Sequence, residues 1–410
     1  MDLAREITFL RRLRGWTQEE LAEQSGLSVR TIRNIERGLV VNPRRSSMSL
    51  LNTALAVETG PVMTAPAAPG PWRGPQPAAR PLVGGRAVLD RLAQAVRGDR
   101  LTTLVGAGGV GKTRLALDVA AQLRPSFGDG VAVVELGDLP SERRSATHDG
   151  AAILRRAEEQ LRGGAEPADG GQRDMDALLV LDNAEHVPAG AIEAGRHLLR
   201  MYPNVHLLVT SRCRLTERLG VNVEIEPLAV APAAGAALSL VSAVKLVLQR
   251  VGEDSRVAEE LAADLPGLVE LGRRLGGIPR YLEFAAERLR TIPLRLLLAS
   301  GPDLDMLVTA DRMLLSHQRS VAGSLRWDID LLSDRHRLLL DRLAALPVGR
   351  FTLHDVIAVS ERLDLTDMTT PIGMLSDLIE ARLVEADTSE LYEYRLARYV
   401  PAVVNMGPPS

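Results

Sequence analysis

The stretch GAGGVGKT, residues 106–113, matches the pattern G-x-x-x-x-G-K-[ST] at every fixed position. It follows the apolar run Leu101–Val105, which predicts a strand. It leads into Lys112–Leu123, where apolar residues recur every four positions as on a buried helix face. Backbone N–H groups of such a loop surround phosphate oxygens, and the helix start adds a favourable dipole. The chain has only two lysines, Lys112 and Lys245, so a lysine at this position argues against a chance match.

The loop and a second strand end together predict a site for a nucleotide with Mg²⁺. Lys112 is expected to reach the β and γ phosphates, and Thr113 to ligate the ion. The apolar strand Leu178–Leu181 is followed by Asp182, which is expected to hold the same ion through water. The predicted cofactors are therefore ATP or ADP with Mg²⁺. The residues assigned to the phosphates are Gly106, Gly108, Gly109, Val110, Gly111, Lys112, Thr113 and Arg114.

Hydrolysis at this site is expected to be slow. Asn183 follows Asp182, so the site lacks an adjacent carboxylate, and Glu185 is the best candidate to orient a water molecule. Arg212 follows another predicted strand and could sense a γ-phosphate or simply face solvent. The predicted catalytic set is Lys112, Asp182, Glu185 and Arg212.

Residues 17–37 have the pattern of two short helices joined by a tight turn. Thr17 and Glu20 have the spacing of a capping box, in which each side chain bonds to the backbone of the other residue. Gly26 can adopt the left-handed conformation that ends the first helix, and Ser28 can cap the second. Two such helices with a glycine in the turn form the helix-turn-helix pattern.

The hydrophobic periodicity predicts a multidomain protein of α and α/β type. Apolar strands alternate with helices between residues 101 and 225, which is typical of a parallel sheet covered on both faces. From about Pro232 onward the pattern is helical, whereas residues 59–80 are rich in Pro, Ala and Gly and predict an extended linker. We expect a head at 1–58, a linker at 59–80, a nucleotide domain at 81–231, a helical subdomain at 232–310 and a last subdomain at 311–410.

Charge and composition constrain location and partners. Residues 1–50 contain nine arginines and six acidic residues, whereas the remainder contains 40 basic and 46 acidic residues. A basic head on an acidic body suits a small DNA-binding domain. The chain lacks an apolar run of transmembrane length, carries charges at Asp2 and Arg5, and has Cys213 as its single cysteine. We therefore expect a cytoplasmic protein that does not bind a membrane.

The sequence LRGWTQEELAEQSGLSVRTIRNIERG, residues 13–38, strongly resembles the Cro-type (XRE) family of helix-turn-helix proteins. The resemblance implies that the helix beginning at Val29 enters the major groove of double-stranded DNA. Val29, Arg30 and Asn34 would then face base edges, and Gln18 and Arg33 would lie near phosphates. The predicted DNA-binding set is Gln18, Ser28, Val29, Arg30, Arg33 and Asn34. The alternative is a helical domain that contacts only protein.

Four segments of the remaining chain resemble the STAND class of signal-transduction ATPases, in its NB-ARC-like branch of bacterial regulators. They are LVGAGGVGKTRLALDVA (104–120), LLVLDNAEHV (178–187), LLVTSR (207–212) and LGGIPRYLEFAAERL (275–289). Residues 81–92 resemble the segment that touches adenine in that family, which assigns Val83 to the cofactor; Gly85 and Arg86 stand where the family has Arg-Glu. Pro279 would pack beside the adenine or merely start a helix. Residues 324–346 and 375–396 resemble the winged-helix subdomain of the family.

The resemblance implies a nucleotide switch. ADP would hold a closed form, and ATP would permit self-association that raises DNA affinity through multivalency. Two other functions stay open. One is an NLR-like signalling or defence ATPase whose head binds protein. The other is a nucleotide-binding scaffold without turnover, which Asn183 keeps open.

Overall fold

Two units make up the chain in the computed structural model, residues 1–67 and residues 68–410. The first is helical, and the second combines a parallel sheet with many helices. The structure describes residues 7–8, 11, 16–37, 40, 47, 50–51, 54, 69–139, 150–163, 175–215, 220–252, 256–299, 307–309, 311, 314–346, 350–363, 369–386 and 392–405.

Two helices of the first unit form the predicted helix-turn-helix. They are α1, Gln18–Ser25, and α2, Val29–Glu36. Thr17 and Glu20 form the predicted capping box, and Gly26 ends α1 with a φ of 69°. Ser28 caps α2 by accepting a hydrogen bond from the backbone N–H of Thr31 at 3.1 Å. The predicted geometry of both helix starts and of the turn is therefore confirmed.

A small apolar core holds the two helices together. Leu21 of α1 and Ile32 and Ile35 of α2 are buried in it. Beside this core, Arg11 forms an ion pair with Glu36, with 2.6 Å between Nε and Oε1. Burial of each of these aliphatic side chains contributes about 1.5–3 kcal/mol to the stability of the helix pair.

A six-stranded sheet forms the centre of the second unit, in the order β1-β3-β4-β5-β2-β6, and every neighbouring pair is parallel. The strands are β1 Trp72–Arg73, β2 Leu101–Val105, β3 Gly130–Glu135, β4 Ala177–Asp182, β5 His206–Ser211 and β6 Val221–Glu224. The two strands predicted at Leu101–Val105 and Leu178–Leu181 both occur in this sheet. The predicted multidomain α and α/β fold class is confirmed.

Helices cover both faces of the sheet. They are α3 Arg86–Gly98 and α4 Lys112–Leu123 on one face, and α5 Gly150–Arg162 and α6 Pro188–Met201 on the other. Along β4, Leu178 and Val180 pack with α3 and α4, whereas Leu179 and Leu181 pack with α5 and α6. Because both faces are buried, the strand is apolar from Ala177 to Leu181 instead of alternating.

Two residues of the predicted linker belong to the sheet. Trp72 and Arg73 form edge strand β1, which pairs with β3 at Val131 and Ala132. The indole N–H of Trp72 donates to the carbonyl oxygen of Pro75 at 2.9 Å. Prolines are compatible with an edge strand because one side of it needs no N–H donors. The prediction of an extended linker is therefore wrong at Trp72 and Arg73, and residues 59–68 lie outside the described part of the chain.

Helices dominate the C-terminal half, around one apolar cluster that includes Val244, Phe284 and Leu339. The first group is α7 Ser242–Val251, α8 Arg256–Ala263, α9 Leu265–Arg274, α10 Pro279–Leu289 and α11 Leu294–Ala299. The second group is α12 Val321–Asp330, α13 Asp334–Ala344, β7 Arg350–Thr352, α14 Leu353–Glu361, α15 Thr369–Glu380, β8 Val384–Ala386, β9 Glu393–Leu396 and α16 Val400–Asn405.

A small antiparallel sheet in the order β7-β9-β8 interrupts the helices of the second group, so the helical prediction after Pro232 is incomplete. No helix in the described part of the chain has the length and apolar character needed to cross a membrane.

Candidate functional site

The loop of residues 106–113 joins β2 to α4 at the carboxyl edge of the sheet. Gly109 and Gly111 have φ angles of 77° and 102°, a region that favours glycine. The Lys112 ammonium group donates to the carbonyl oxygens of Gly106 at 2.8 Å and Ala107 at 3.0 Å. Burial lowers the pKa of Lys112 to about 8. A cation held over a loop of backbone amides can pair strongly with a polyphosphate.

Asp182, at the end of β4, lies beside Thr113 at the start of α4. The Thr113 hydroxyl donates to this carboxylate, 2.9 Å from Oδ1 and 3.0 Å from Oδ2. The Thr210 hydroxyl donates to Oδ1 at 2.5 Å, and the Asn183 amide donates to Oδ2 at 3.0 Å. Burial raises the pKa of Asp182 to about 6. The structure thus brings together both residues assigned to the ion, and oxygen ligands of this kind are those that Mg²⁺ prefers.

Glu185 and Arg212 contact each other. Arg212 Nε donates to Glu185 Oε1 at 3.0 Å, and the two side chains are only 12% and 4% exposed. The alternative that Arg212 faces solvent is therefore wrong. Burial acts to raise the pKa of Glu185, but the charges of Arg212 and Lys112 outweigh it and hold that pKa below its usual value. Glu185 is thus an ionised partner of Arg212, and its action on a water molecule stays a prediction.

Two residues of α12 extend this cluster, and no sequence pattern pointed to them. Arg212 Nη1 donates to the carboxylate of Asp328 and, at 3.4 Å, to the carbonyl oxygen of Ser324. Asp328 lies 116 residues from Arg212 along the chain. Contacts of this kind depend on how distant helices and strands pack together, which motif spacing does not encode.

A cavity of about 610 Å³ opens beside the phosphate loop, within the size range of ligand pockets. Two predicted residues do not line it. The carbonyl oxygen of Gly106 accepts a bond from Lys112, and Asp182 lies behind Thr113. The predicted residues that do line the cavity are Val83, Gly108, Gly109, Val110, Gly111, Lys112, Thr113, Arg114, Glu185, Arg212 and Pro279.

Arg280 also lines this cavity and was not predicted, although it directly follows Pro279 in the segment LGGIPR. Its backbone N–H donates to the carbonyl oxygen of Gly109 at 3.1 Å. A β-carbon on Gly109 would lie 2.8 Å from the Cβ of Arg280, and one on Gly108 would lie 2.5 Å from Arg212 Nη1. Arg280 therefore approaches Gly109 so closely that only glycine fits there, and the guanidinium group of Arg212 lies over Gly108. This arrangement suits the phosphates of a nucleotide.

The predicted DNA-contact residues of the first unit differ in their availability. Arg30 and Arg33 are exposed on α2. The Gln18 amide donates to Glu36 at 2.6 Å, so this side chain already has a partner. Val29 is half-buried and packs against the core, so part of its side chain serves packing instead of base contact. The other two members of the predicted set are Ser28, which caps α2, and Asn34, which is half-buried.

Comparison with known proteins finds a family model that matches the first unit. Residues 8–61 match the family model described as "Helix-turn-helix". The chain is 32% identical over 318 residues to the Mycobacterium tuberculosis protein named "Putative HTH-type transcriptional regulator Rv0890c". The aligned region covers 74% of this chain and 33% of that protein. The chain thus spans about a third of the length of this relative.

Two further similarities cover most of the chain. The "Uncharacterized protein Rv0894" of Mycobacterium tuberculosis is 28% identical over 315 residues, covering 75% of this chain and 76% of that protein. A Walker-type ATPase of Pyrococcus abyssi superposes with a TM-score of 0.52 at 14% identity, covering 81% of this chain and 98% of that one. Such low identity shows the fold alone. The chain therefore carries an N-terminal helix-turn-helix domain, and its second unit has the fold of a P-loop ATPase.

Proposed function

We propose that the chain is a DNA-binding transcription regulator whose state is set by ATP and ADP at the phosphate loop. The observation that carries the proposal is the pairing of Thr113 with Asp182 beside a buried Lys112, in a chain that begins with a helix-turn-helix. The name of the mycobacterial regulator, which matches most of the chain, supports the same function.

The residues at the carboxyl edge of the sheet have separate tasks in this proposal. Lys112 and the loop amides bind phosphates, and Thr113 and Asp182 hold Mg²⁺ directly or through water. The bound ion neutralises charge on the phosphate oxygens. Arg212 and Arg280 lie against Gly108 and Gly109 of the loop, and both would contact the terminal phosphate.

The C-terminal half would carry the response to the nucleotide. We propose that residues 81–231 form the nucleotide domain, 232–310 a helical subdomain and 311–410 a winged-helix subdomain of the STAND, NB-ARC-like type. The succession of α12 and α13, β7, α14 and α15, and the β8–β9 hairpin supports this assignment. A change in the position of the winged-helix subdomain would permit self-association. Several linked heads would then bind DNA more tightly than one.

Hydrolysis of ATP by the full chain should be slow, well below the ~1–100 s⁻¹ typical of kinases. Asn183 occupies the position after Asp182 and has no carboxylate. Arg212 and Lys112 hold the pKa of Glu185 below its usual value, which makes this carboxylate a weak base toward an attacking water. Phosphate release under multiple turnover measures the rate, with Lys112→Ala as the background control. Brisk turnover by wild type would show that Glu185 leaves Arg212 during the reaction and would contradict a slow switch.

The pairing of Glu185 with Arg212 also supports the second candidate function, a nucleotide-dependent scaffold without turnover. The two candidates differ in product. A switch that resets by hydrolysis converts bound ATP to ADP within a single turnover, whereas a scaffold releases ATP unchanged. Single-turnover analysis of bound nucleotide separates them.

Genome-wide DNA footprinting of wild type and Lys112→Ala, with and without ATP, tests the proposed function as a whole. We expect discrete protected sites for wild type whose occupancy changes with ATP, and no change with ATP for the variant. Absence of any discrete site under either condition would favour a head that binds protein.

A further inference from the structure

One guanidinium group joins three parts of the second unit. Arg212, just after β5, donates through Nε to Glu185 and through Nη1 to Asp328 of α12. The side chains of Arg212 and Asp328 are 12% and 11% exposed, so both charges are largely withdrawn from water. Burial alone would lower the pKa of Arg212, but the two carboxylates outweigh it and raise that pKa above its usual value. Glu185 and Asp328 carry two negative charges, which are opposed by Arg212 and by the nearby Lys112.

The nitrogen that binds Asp328 is also the one that faces the phosphate loop. A β-carbon on Gly108 would lie 2.5 Å from Arg212 Nη1, and Ser324 Oγ of α12 would lie 2.9 Å from the same point. The loop glycine is therefore covered by Arg212 and by α12 together. A terminal phosphate that takes Arg212 as a partner must compete with the carboxylate of Asp328 for this nitrogen.

Competition at this nitrogen has an electrostatic consequence. If Arg212 turned to a phosphate, Asp328 would be left as a buried carboxylate beside a second anion, which is strongly unfavourable. Burial already raises the pKa of Asp328, against the opposing charge of Arg212. ADP lacks the terminal phosphate and does not raise this conflict. The ion pair of Arg212 with Asp328 therefore lowers the affinity for ATP more than the affinity for ADP.

We propose that Asp328 sets the preference of the site for ADP over ATP, and that binding of ATP requires Asp328 and α12 to leave Arg212. The proposal rests on the nucleotide-binding function proposed above. It assigns to Asp328 a positioning role, because this carboxylate acts on the nucleotide through Arg212.

Trp327, the neighbour of Asp328 on α12, gives an optical signal for this movement. Its ring stacks on His317 with centroids 4.2 Å apart, and it makes an edge contact with His186 at 5.8 Å. His186 follows Asp182 by four residues and belongs to the nucleotide domain. Departure of α12 from Arg212 would break the contact with His186 and change the environment of the indole.

The experiment is calorimetric titration of the full chain with ADP and with ATP, each with Mg²⁺, for wild type, Asp328→Asn and Asp330→Asn. Asp330 is exposed on the same helix and serves as the matched control. We expect Asp328→Asn to raise the affinity for ATP relative to ADP by about tenfold or more, equivalent to about 1.4 kcal/mol, and Asp330→Asn to leave the ratio unchanged. A purely structural ion pair would alter both affinities equally, and an unchanged ratio in Asp328→Asn overturns the proposal.

Two further measurements keep the proposal testable if Asp328→Asn folds poorly. Asp328→Ser removes the same charge with a smaller side chain, and the same ratio is expected to shift. In a Trp16→Phe, Trp72→Phe background, ATP should change the fluorescence of Trp327 and ADP should not. Identical spectra with the two nucleotides would overturn the movement of α12. Failure of wild type to bind either nucleotide would instead remove the proposed function itself.

Discussion

Replacing Lys112 by alanine is expected to weaken ATP binding by about tenfold to a hundredfold. The ammonium group is buried over the loop, where a hydrogen bond to a charged partner contributes about 1.5–3 kcal/mol, more than a neutral one. Loss of this ammonium group also removes the positively charged side chain that is expected to contact the β and γ phosphates. Calorimetric titration with ATP and Mg²⁺ measures the effect directly.

The chain offers a matched control for this experiment. Lys245 is the other lysine, and it lies exposed on α7. Lys245→Ala removes the same charge and the same side chain, so it should leave ATP affinity unchanged. Thermal unfolding of both variants separates loss of binding from loss of fold. Equal ATP binding by wild type and a folded Lys112→Ala would overturn the assignment of the nucleotide site.

Local features of the chain were predictable because short segments determine them. The capping box of Thr17 and Glu20 and the turn at Gly26 need only residues three to nine positions apart. The strand–loop–helix unit around Lys112 is equally local, and the uninterrupted apolar strands require cover on both faces. The pairing of Thr113 with Asp182 followed from the general rule that parallel strands end at a common edge.

Features set by tertiary packing were not predictable from spacing. The composition of residues 59–80 is typical of a linker, yet Trp72 and Arg73 gain backbone partners on β3 that no local pattern announces. Asp328 reaches Arg212 only because α12 packs over the loop. Arg280 lies against Gly109 because α10 begins at Pro279 beside the loop, a tertiary contact that the segment LGGIPR does not encode.

Replacing Arg30 by alanine is expected to cost about 1–3 kcal/mol at a specific DNA site and to relax the preference at one base position. Arg30 is exposed on α2, and a guanidinium group there can bind guanine with two hydrogen bonds. Arg33 is exposed one turn further along and contacts Gln18 at 3.4 Å, in a position suited to a phosphate. Arg33→Ala should therefore weaken binding to all sequences. It should also reduce the slope of log affinity against log salt concentration by about 0.9, the value for one phosphate contact.

The two arginines can be distinguished in one titration series. Wild type and both variants are titrated with selected and scrambled duplexes at two salt concentrations, in the presence of ATP. Arg97, exposed on α3 of the second unit, supplies the control variant Arg97→Ala, which should behave like wild type. Arg30→Ala should lose affinity only for the selected duplex, because a base contact carries sequence information and a phosphate contact does not. If wild type shows no preference for any selected duplex, the head does not read DNA sequence, and recognition of a protein partner becomes its better explanation.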